Sequence, residues 1–455
     1  MTRYFADHAW LPHGWAPAVS LDVGLAQRPG LVVAAEAETL RGDAEHLGRY
    51  VLPGMPNLHS HAFQRAMAGL AERQTHADDS FWTWRELMYA FAGRIDPETL
   101  HAIAAQLYVE MLKAGYTQVC EFHYLHHRPD GAPYANPAAM SLALVEAARE
   151  AGIGLTLLPT LYMSGGFDGR ALSERQRRFG HDVESYLRLL EHLRKMEDST
   201  LRIGVALHSL RAVPAAALRD VLASGVADGP VHIHIAEQIG EVQDCLALRN
   251  ARPVEWLLAH AEVDERWCLV HATHMTADET RRVAATGAVA GLCPTTEANL
   301  GDGLFPLKDF LAAGGVLGIG SDSHISVSPV EELRWLEYGQ RLATRHRNIA
   351  VSESSDSVGE TLWGDALFGG ARASGTTIGT LEPNARADLL VLDDRAPLFA
   401  ARDAETVLDT FLFAGNANLV RHVMVDGTWR VRDGHHRDEE RIAARYREAV
   451  MRLAA

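Results

Sequence analysis

The sequence predicts an α/β protein, a TIM-like (β/α)8 barrel with a small β-sandwich domain built from both chain ends. Three observations support this fold class. Eight short apolar runs alternate with longer amphipathic segments of helical periodicity. Most of these runs are almost continuously apolar, as expected of parallel strands that are buried on both faces. Both ends of the chain instead contain short extended segments separated by turns.

Residues 1–52 are expected to form the N-terminal part of the sandwich domain. Extended pieces are indicated over Ala18–Val23, Leu31–Ala35 and Gly48–Leu52, and no long helical period interrupts them. These segments therefore predict strands that need a partner sheet elsewhere in the chain.

Residues 53–375 are expected to form the barrel. Its strands are predicted at Met55–Phe63, Gln118–Tyr124, Ile153–Tyr162, Leu201–Leu210, Val231–Glu237, Cys268–Thr273, Ala288–Cys293 and Val316–Ser321. Helices are predicted between them at Pro97–Ala114, Ala138–Ala151, Asp182–Met196, Ala215–Ala223, Pro253–Ala261 and Ala277–Thr286. A closed barrel is the simplest arrangement for eight parallel strands. An open doubly wound sheet is the alternative, and the lack of a G-x-G-x-x-G motif after an early strand disfavours it.

Residues 376–455 are expected to return to the sandwich domain and to end in a helix. Short strands are indicated at Arg386–Asp393 and His422–Gly427. The Asp426-Gly427 pair is a hairpin signal, which places the returning strand at Trp429–Arg432. A charged helix is predicted over Glu439–Leu453. Because both chain ends are rich in strand-like segments, we expect them to pair in one domain.

Composition excludes several classes of partner. The chain has 455 residues and a formal charge of −16, from 43 Lys and Arg against 59 Asp and Glu. This acidic balance argues against nucleic acid binding, which needs a basic face. No apolar run approaches the ~20 residues of a membrane span. The four cysteines form no C-x-x-C pair and no secretory signal is apparent, so we expect a cytoplasmic protein.

Histidines recur in pairs at the predicted strands. His59 and His61 form an H-x-H pattern on the first run, and His232 and His234 repeat it on the fifth. Because side chains alternate along a strand, both members of each pair face the same side and can reach one metal ion. Glu237 has the opposite parity to His234. It points inward only if the strand has ended or bulges before it.

The sixth and eighth runs carry further candidates. His271 and His274 follow each other on the sixth run, and Asp322 ends the glycine-containing eighth run. Catalytic residues of barrels lie at the C-terminal ends of strands, so these side chains are expected to meet the other histidines. Three imidazoles and one carboxylate would hold a metal ion and leave a position for water. The alternative is that these histidines are hydrogen-bonded core residues and that the aspartate caps a helix. The recurrence of the full set at strand ends disfavours this alternative.

This order of motifs resembles the amidohydrolase superfamily over essentially the whole chain. The resemblance includes the Pro-Gly-x-x-Asn-x-His-x-His pattern of residues 53–61 and the Ala-Asp-Leu-Leu-Val-Leu segment of residues 387–392. Residues 292–300 are similar to the seventh-strand segment of the deaminase branch. Members with two metals usually carry a bridging lysine on the fourth strand, and the run Leu201–Leu210 contains none. One metal ion is therefore expected, Zn²⁺ by family expectation, with Fe²⁺ as the other possibility.

The resemblance also implies roles for single residues. The metal ligands would be His59, His61, His234 and Asp322. The catalytic residues would be Glu237, which passes protons to the leaving nitrogen, His271, which polarises the substrate or orients water, and Asp322, which helps to deprotonate water. By motif alone His232 and His274 compete for these roles. His234 is preferred because it lies three residues before the glutamate, and His271 because it falls earlier, on the strand.

Arginines near the strand ends predict a substrate with carboxylates. Arg211 follows the fourth run, Arg85 lies in the loop after the first, and Arg65 lies close behind the H-x-H pair. The planar guanidinium donates two parallel hydrogen bonds to a carboxylate. Two or more arginines near the site of an acidic protein therefore favour a dicarboxylate over a neutral base. Surface ion pairing is the alternative for each of them.

Longer stretches resemble the formimidoylglutamate deiminase family in particular. They are residues 58–70, 81–86, 121–124 and 208–211. The resemblance implies that N-formimidoyl-L-glutamate is hydrolysed to N-formyl-L-glutamate and ammonia in histidine degradation. Arg85 and Arg211 would bind the substrate carboxylates, and the pocket would be completed by Gln64, Tyr124 and His208. A homodimer is expected from related barrels.

Two other functions stay open at this point. A deaminase of a ring substrate such as guanine or a triazine would use the same metal ligands, and Trp82 and Trp84 could stack on such a ring. A non-catalytic barrel would usually lack some metal ligands, whereas the full set and the glutamate are present here.

Overall fold

The structure is a computed structural model that describes residues 1–25, 28–74, 81–353 and 355–454. The chain begins with four strands, β1 (Thr2–Leu11), β2 (Gly14–Leu25), β3 (Arg28–Glu36) and β4 (Glu45–Pro53). The sequence analysis predicts parts of the last three but not β1. Alanine, histidine and aspartate weaken the strand signal of Thr2–Leu11. Pairing with β2 on one edge and β4 on the other nevertheless makes it a central strand.

The barrel strands follow in chain order and run parallel. They are β5 (Met55–Ser60), β6 (Tyr116–His123), β7 (Gly154–Leu161), β8 (Leu201–Ile203), β9 (Val205–Ser209), β10 (Val231–Ile235), β11 (Trp267–His271), β12 (Val289–Leu292) and β13 (Val316–Ile319). Each of the eight predicted runs overlaps one barrel strand or, for the fourth, two, so this part of the prediction is confirmed. The fourth run is divided at Gly204, where an added Cβ would lie 2.6 Å from Leu158 Cδ2.

Helices cover the outside of the barrel and continue into the terminal domain. They are α1 (Phe81–Ala92), α2 (Pro97–Ala114), α3 (Ala139–Ala151), α4 (Val183–Arg194), α5 (Ala215–Ala223), α6 (Ile239–Arg249), α7 (Pro253–His260), α8 (Ala277–Thr286), α9 (Pro294–Leu300), α10 (Leu307–Ala312), α11 (Pro329–Thr344), α12 (Val358–Ser374), α13 (Ala404–Phe413) and α14 (Glu439–Ala454). The predicted barrel helices agree with α2, α3, α4, α5, α7 and α8 to within two residues at each end. Within the described ranges, no helix is long and apolar enough to span a bilayer.

The barrel closes where the segment after β13 meets β5. The Asp322 N–H donates to the His59 carbonyl at 3.0 Å, and the His61 N–H donates to the Asp322 carbonyl at 3.1 Å. Gly320 makes this approach possible, because a Cβ there would lie 2.7 Å from His59 Cβ. Closure therefore brings the first and last candidate metal ligands together.

The two chain ends share one mixed sheet, as predicted. Its remaining strands are β14 (Leu389–Leu392), β15 (Val420–Val425), β16 (Thr428–Arg432) and β17 (His435–His436). Over the described residues the sheet has the order β17-β16-β15-β14-β4-β1-β2-β3, so the antiparallel pair β4 and β14 joins the two ends. Asp426 and Gly427 have φ values of 49° and 68°, which suits the predicted hairpin turn. The domain boundaries at residues 52/53 and 375/376 stay a prediction.

Candidate metal centre and active site

Three imidazoles converge at the C-terminal ends of β5 and β10. The Nε2 atoms of His59 and His61 are 3.2 Å apart, those of His61 and His234 are 3.3 Å apart, and those of His234 and His59 are 3.0 Å apart. A tetrahedral ion with metal–nitrogen bonds of about 2.0–2.1 Å would hold its ligand atoms roughly 3.3 Å apart. The triangle of nitrogens therefore fits one face of such a coordination sphere.

Asp322 supplies an oxygen close to the same point. Its Oδ1 lies 3.5 Å from His59 Nε2 and 3.4 Å from His61 Nε2. Three nitrogens and one carboxylate oxygen suit zinc or iron and leave room for water. The chemistry of the donor set therefore fits a single transition-metal ion.

Carbonyl groups behind the ligands orient two of the imidazoles. Nδ1–H of His61 donates to the Phe122 carbonyl at 2.8 Å, and Nδ1–H of His234 donates to the His208 carbonyl at 2.9 Å. Each Nε2 lone pair is thereby directed at the centre. Burial lowers the pKa of His59, His61 and His234, which favours the neutral form that binds metal.

The backbone after β10 turns Glu237 into the cavity. The strand ends at Ile235, and Ala236 then adopts a left-handed conformation with φ of 51°. Without this turn, the alternation of side chains along the strand would point Glu237 away from His234. Burial raises the pKa of Glu237, and His271 opposes this only in part. A carboxyl group with a raised pKa is better suited to accept and deliver protons during a reaction than an exposed one.

His271 lies among three carboxylates. Its Nδ1 is 3.2 Å from Glu297 Oε1, and its Nε2 is 4.0 Å from Glu237 Oε1 and 3.8 Å from Asp322 Oδ2. Burial alone would lower its pKa, but the carboxylates outweigh burial and raise the pKa to about 10. A protonated imidazole here can donate a hydrogen bond to a developing negative charge.

The predicted site residues lie around one narrow cavity of about 60 Å³. Ten of them line it, namely His61, Gln64, Arg85, Tyr124, His208, Arg211, His234, Glu237, His271 and Asp322. His59 is fully buried and reaches the same centre through its Nε2 contacts. His232 instead donates from Nε2 to the Ala373 carbonyl at 2.8 Å, and His274 does not line the cavity.

Two guanidinium groups lie in this cavity beside an indole. The Arg85 guanidinium carbon is 4.5 Å from the Trp82 ring centroid, and that of Arg211 is 5.8 Å from it. Among the described residues, neither arginine forms an ion pair with a carboxylate, and Arg85 Nε is buried without a hydrogen-bond partner. Arg65 instead pairs with Glu110 at 2.9 Å outside the cavity. Arg85 and Arg211 are thus available to an anionic ligand.

The remaining predicted polar residues form a neutral part of the wall. Gln64 Nε2 donates to the Tyr124 hydroxyl at 3.0 Å. Burial, together with Arg211, lowers the pKa of His208 and keeps its imidazole uncharged. These groups can accept or donate hydrogen bonds without adding charge.

Sequence analysis did not identify several apolar and aromatic wall residues. Tyr89 and Tyr162 line the cavity, and their hydroxyls accept hydrogen bonds from Gln176 Nε2 at 3.2 and 3.0 Å. Phe81 and Met88 also belong to the wall and lie on α1, beside Trp84, which the sequence offered only as a stacking residue for a ring substrate. The apolar content of residues 81–92 does not by itself separate a cavity wall from a core.

Comparisons with known proteins agree with this architecture. Residues 50–430 match the amidohydrolase family. The chain is 54% identical over 454 residues to a formimidoylglutamate deiminase of Pseudomonas aeruginosa, with 100% of both chains covered. It is also similar to the crystal structure of an amidohydrolase from Brucella melitensis, with 47% identity, a TM-score of 0.94 and full coverage of both chains.

A more distant structure shares the fold alone. It is an adenosine deaminase from Xanthomonas campestris with bound zinc, which is 21% identical with a TM-score of 0.79 and aligns with 100% of this chain and 98% of its own. The match to the family model spans most of the sequence and includes the strand ends that carry the imidazoles. The chain therefore belongs to the amidohydrolase family.

Proposed function

We propose that this protein hydrolyses N-formimidoyl-L-glutamate to N-formyl-L-glutamate and ammonia. The observation that carries the proposal is a single cavity that contains both the imidazole cluster and the guanidinium groups of Arg85 and Arg211. The substrate has complementary groups, namely a basic formimidoyl group on its α-nitrogen and two carboxylates, one on the neighbouring α-carbon and one at the end of the side chain. The relative from Pseudomonas aeruginosa, which bears the name of this activity, supports the same conclusion.

One metal ion would be held by His59, His61, His234 and Asp322. When bound, such an ion supplies a nucleophile at neutral pH by lowering the pKa of a water to about 7. Zinc is the expected ion and iron the other candidate, because both accept three imidazoles and a carboxylate. The identity of the ion is a proposal that metal analysis of the purified protein tests directly.

Different side chains around the centre carry out the different proton transfers. Asp322 accepts a proton from the attacking water. Glu237 gives a proton to the imine nitrogen as the water oxygen adds to the formimidoyl carbon. Asp322 then returns its proton to the same nitrogen, which leaves as ammonia when the C–N bond breaks, and Glu237 takes up the proton of the new hydroxyl group as the formyl C=O forms. His271 donates a hydrogen bond to the charge that develops near the former formimidoyl carbon. Each such transfer is typically worth roughly 10²–10⁴-fold in rate.

Arg85 and Arg211 bind the two carboxylates of the substrate, while Gln64, Tyr124 and His208 complete the pocket. Bidentate guanidinium–carboxylate contacts fix both position and orientation. Five residues of α1 belong to the cavity wall, so this helix lies beside the bound substrate.

The deciding experiment is ammonia release from N-formimidoyl-L-glutamate by zinc-loaded protein, with guanine and cytosine assayed in parallel. Rapid release from the formimidoyl compound alone is the expected result. Release from a ring substrate alone would keep the metal site but would overturn the assignment of the arginines. A protein that takes up no zinc or iron would overturn the enzymatic proposal as a whole.

Two further expectations belong to this proposal. A homodimer is expected from related barrels, and sedimentation or light scattering measures it. A cytoplasmic location is expected for an enzyme of amino-acid degradation, and cell fractionation tests it.

A further inference from the structure

Glu241 is a buried carboxylate that no part of the proposed chemistry uses. It lies in the first turn of α6 and is 5% exposed. Its Oε1 accepts the Ala236 N–H at 3.2 Å, and its Oε2 accepts the Glu237 N–H at 3.1 Å. Glu241 does not line the cavity, so it has no direct contact with a bound substrate.

Both hydrogen bonds act on the turn that directs Glu237. The left-handed conformation of Ala236 is unfavourable for a residue with a Cβ and persists only where surrounding contacts hold it. On one side, the His274 N–H donates to the Ala236 carbonyl at 3.0 Å. On the other side, Glu241 binds two successive N–H groups. The turn is therefore held by one backbone group and by one side chain.

We propose that Glu241 is a positioning residue that keeps the carboxyl group of Glu237 aimed at the metal centre. This inference rests on the proposed function, because it assigns Glu241 a role only through the proton transfers of Glu237. Loss of either hydrogen bond would let the turn relax and would move the Glu237 side chain away from the reacting nitrogen. Misplacement of a reacting group by about 1 Å can cost about 100-fold in rate.

The test is the Glu241→Gln variant of the full-length, metal-loaded protein. The glutamine oxygen can accept one of the two N–H groups, but its NH₂ group then faces the other donor. We expect kcat to fall about 10- to 100-fold, with KM and metal content nearly unchanged, because substrate and metal contacts are made by other residues. Hydrogen exchange of the peptide spanning residues 233–241 should also become faster.

Glu337→Gln provides a matched control. Glu337 is likewise a buried helical carboxylate that accepts two successive N–H groups, those of Ile349 and Ala350 at 2.9 and 3.0 Å, and it too does not line the cavity. We expect this variant to keep kcat within about twofold of the wild type, since it leaves the turn at Ala236 intact. If E241Q does not fold, Glu241→Asp keeps the charge but shortens the reach and should show the same loss of kcat.

The outcomes separate the two proposals. Normal kcat in a folded E241Q variant, or equal losses in E241Q and E337Q, would overturn the positioning role. A wild-type protein that releases no ammonia from the formimidoyl compound would overturn the proposed function instead. In that case, an unchanged rate of hydrogen exchange over residues 233–241 in E241Q would show that Glu241 does not hold the turn.

Discussion

The Nε2 atoms of His59, His61 and His234 lie within 3.0–3.3 Å of one another, and main-chain carbonyls hold the rings of His61 and His234 from behind. At this scale, the environment of a side chain decides its chemistry. Glu237 and Asp322 are both acidic, yet Asp322 faces the imidazoles whereas burial raises the pKa of Glu237. The two carboxyl groups are therefore suited to different steps.

Glu237→Gln should remove proton delivery while leaving the metal ligands in place. We expect kcat to fall about 10²–10⁴-fold with unchanged metal content, measured by ammonia release and metal analysis. Glu262→Gln changes an exposed glutamate and serves as the control. A near-normal kcat in the Glu237 variant would show that this residue is not the proton donor.

Arg211→Met should weaken the binding of a dicarboxylate. Removing one charged partner of a buried pair costs 2 kcal/mol or more, so kcat/KM should fall about 100-fold, mainly through KM. Arg219→Met, at an exposed position of α5, is the control and should behave as the wild type. If KM stays unchanged for the formimidoyl substrate, Arg211 does not hold a carboxylate.

Glycines determine how closely the elements around the metal centre approach. An added Cβ at Gly318 would lie 2.5 Å from Leu58 Cδ2, and one at Gly320 would lie 2.8 Å from the His59 backbone N. Neither glycine has a positive φ, so space rather than conformation requires them. Close packing of this kind allows β5 and β13 to meet and the barrel to close.

Gly320→Ala should therefore weaken metal binding, although Gly320 is not itself a candidate ligand. The new methyl group would push the segment after β13 away from β5 and break the backbone contacts between Asp322 and His59. We expect zinc affinity to fall at least about 10-fold, measured by competition with a chelator. Gly364→Ala is a suitable control, because its Cβ would have only an ordinary 3.8 Å contact with Trp10. Equal zinc affinity in both variants would contradict this explanation.

Elements differ in how well the sequence alone predicts them. The barrel strands, six of the barrel helices and the terminal helix α14 are predicted because their patterns are local and regular. No helix is predicted at Phe81–Ala92 or Ile239–Arg249, although both elements carry residues of the site or its support. α1 packs against residues 62–67 and α6 packs against α7, and single-sequence periodicity does not report such tertiary contacts.

At the scale of the whole molecule, a buried ion pair connects the barrel to the terminal sheet. Arg386 donates to both oxygens of Asp388 at 2.9 and 2.6 Å and to Gln118 Oε1 of β6 at 2.9 Å. Asp388 also accepts the Asp426 N–H at the hairpin between β15 and β16 at 2.9 Å. A Cβ at Gly154 would collide with this group, so β7 leaves space for it.

Arg386→Met should destabilise the protein without touching the cavity. Asp388 is fully buried, and leaving its charge without a partner should cost about 3–5 kcal/mol of unfolding free energy. Arg395→Met breaks an exposed pair with Asp393 and should change the unfolding free energy little, because solvent screens such a pair. Urea unfolding of both variants measures the difference, and equal losses would refute the role of the buried pair.

The sequence by itself determined the strand order of the barrel, the pairing of the chain ends and the types of side chain at the strand ends. It did so because apolar runs, side-chain alternation and the Asp-Gly turn are local properties. Only the tertiary structure decided that His234 rather than His232 faces the imidazole cluster and that the turn at Ala236 aims Glu237 inward. These outcomes depend on contacts between residues far apart in the chain, such as closure of β13 on β5, which no local pattern records.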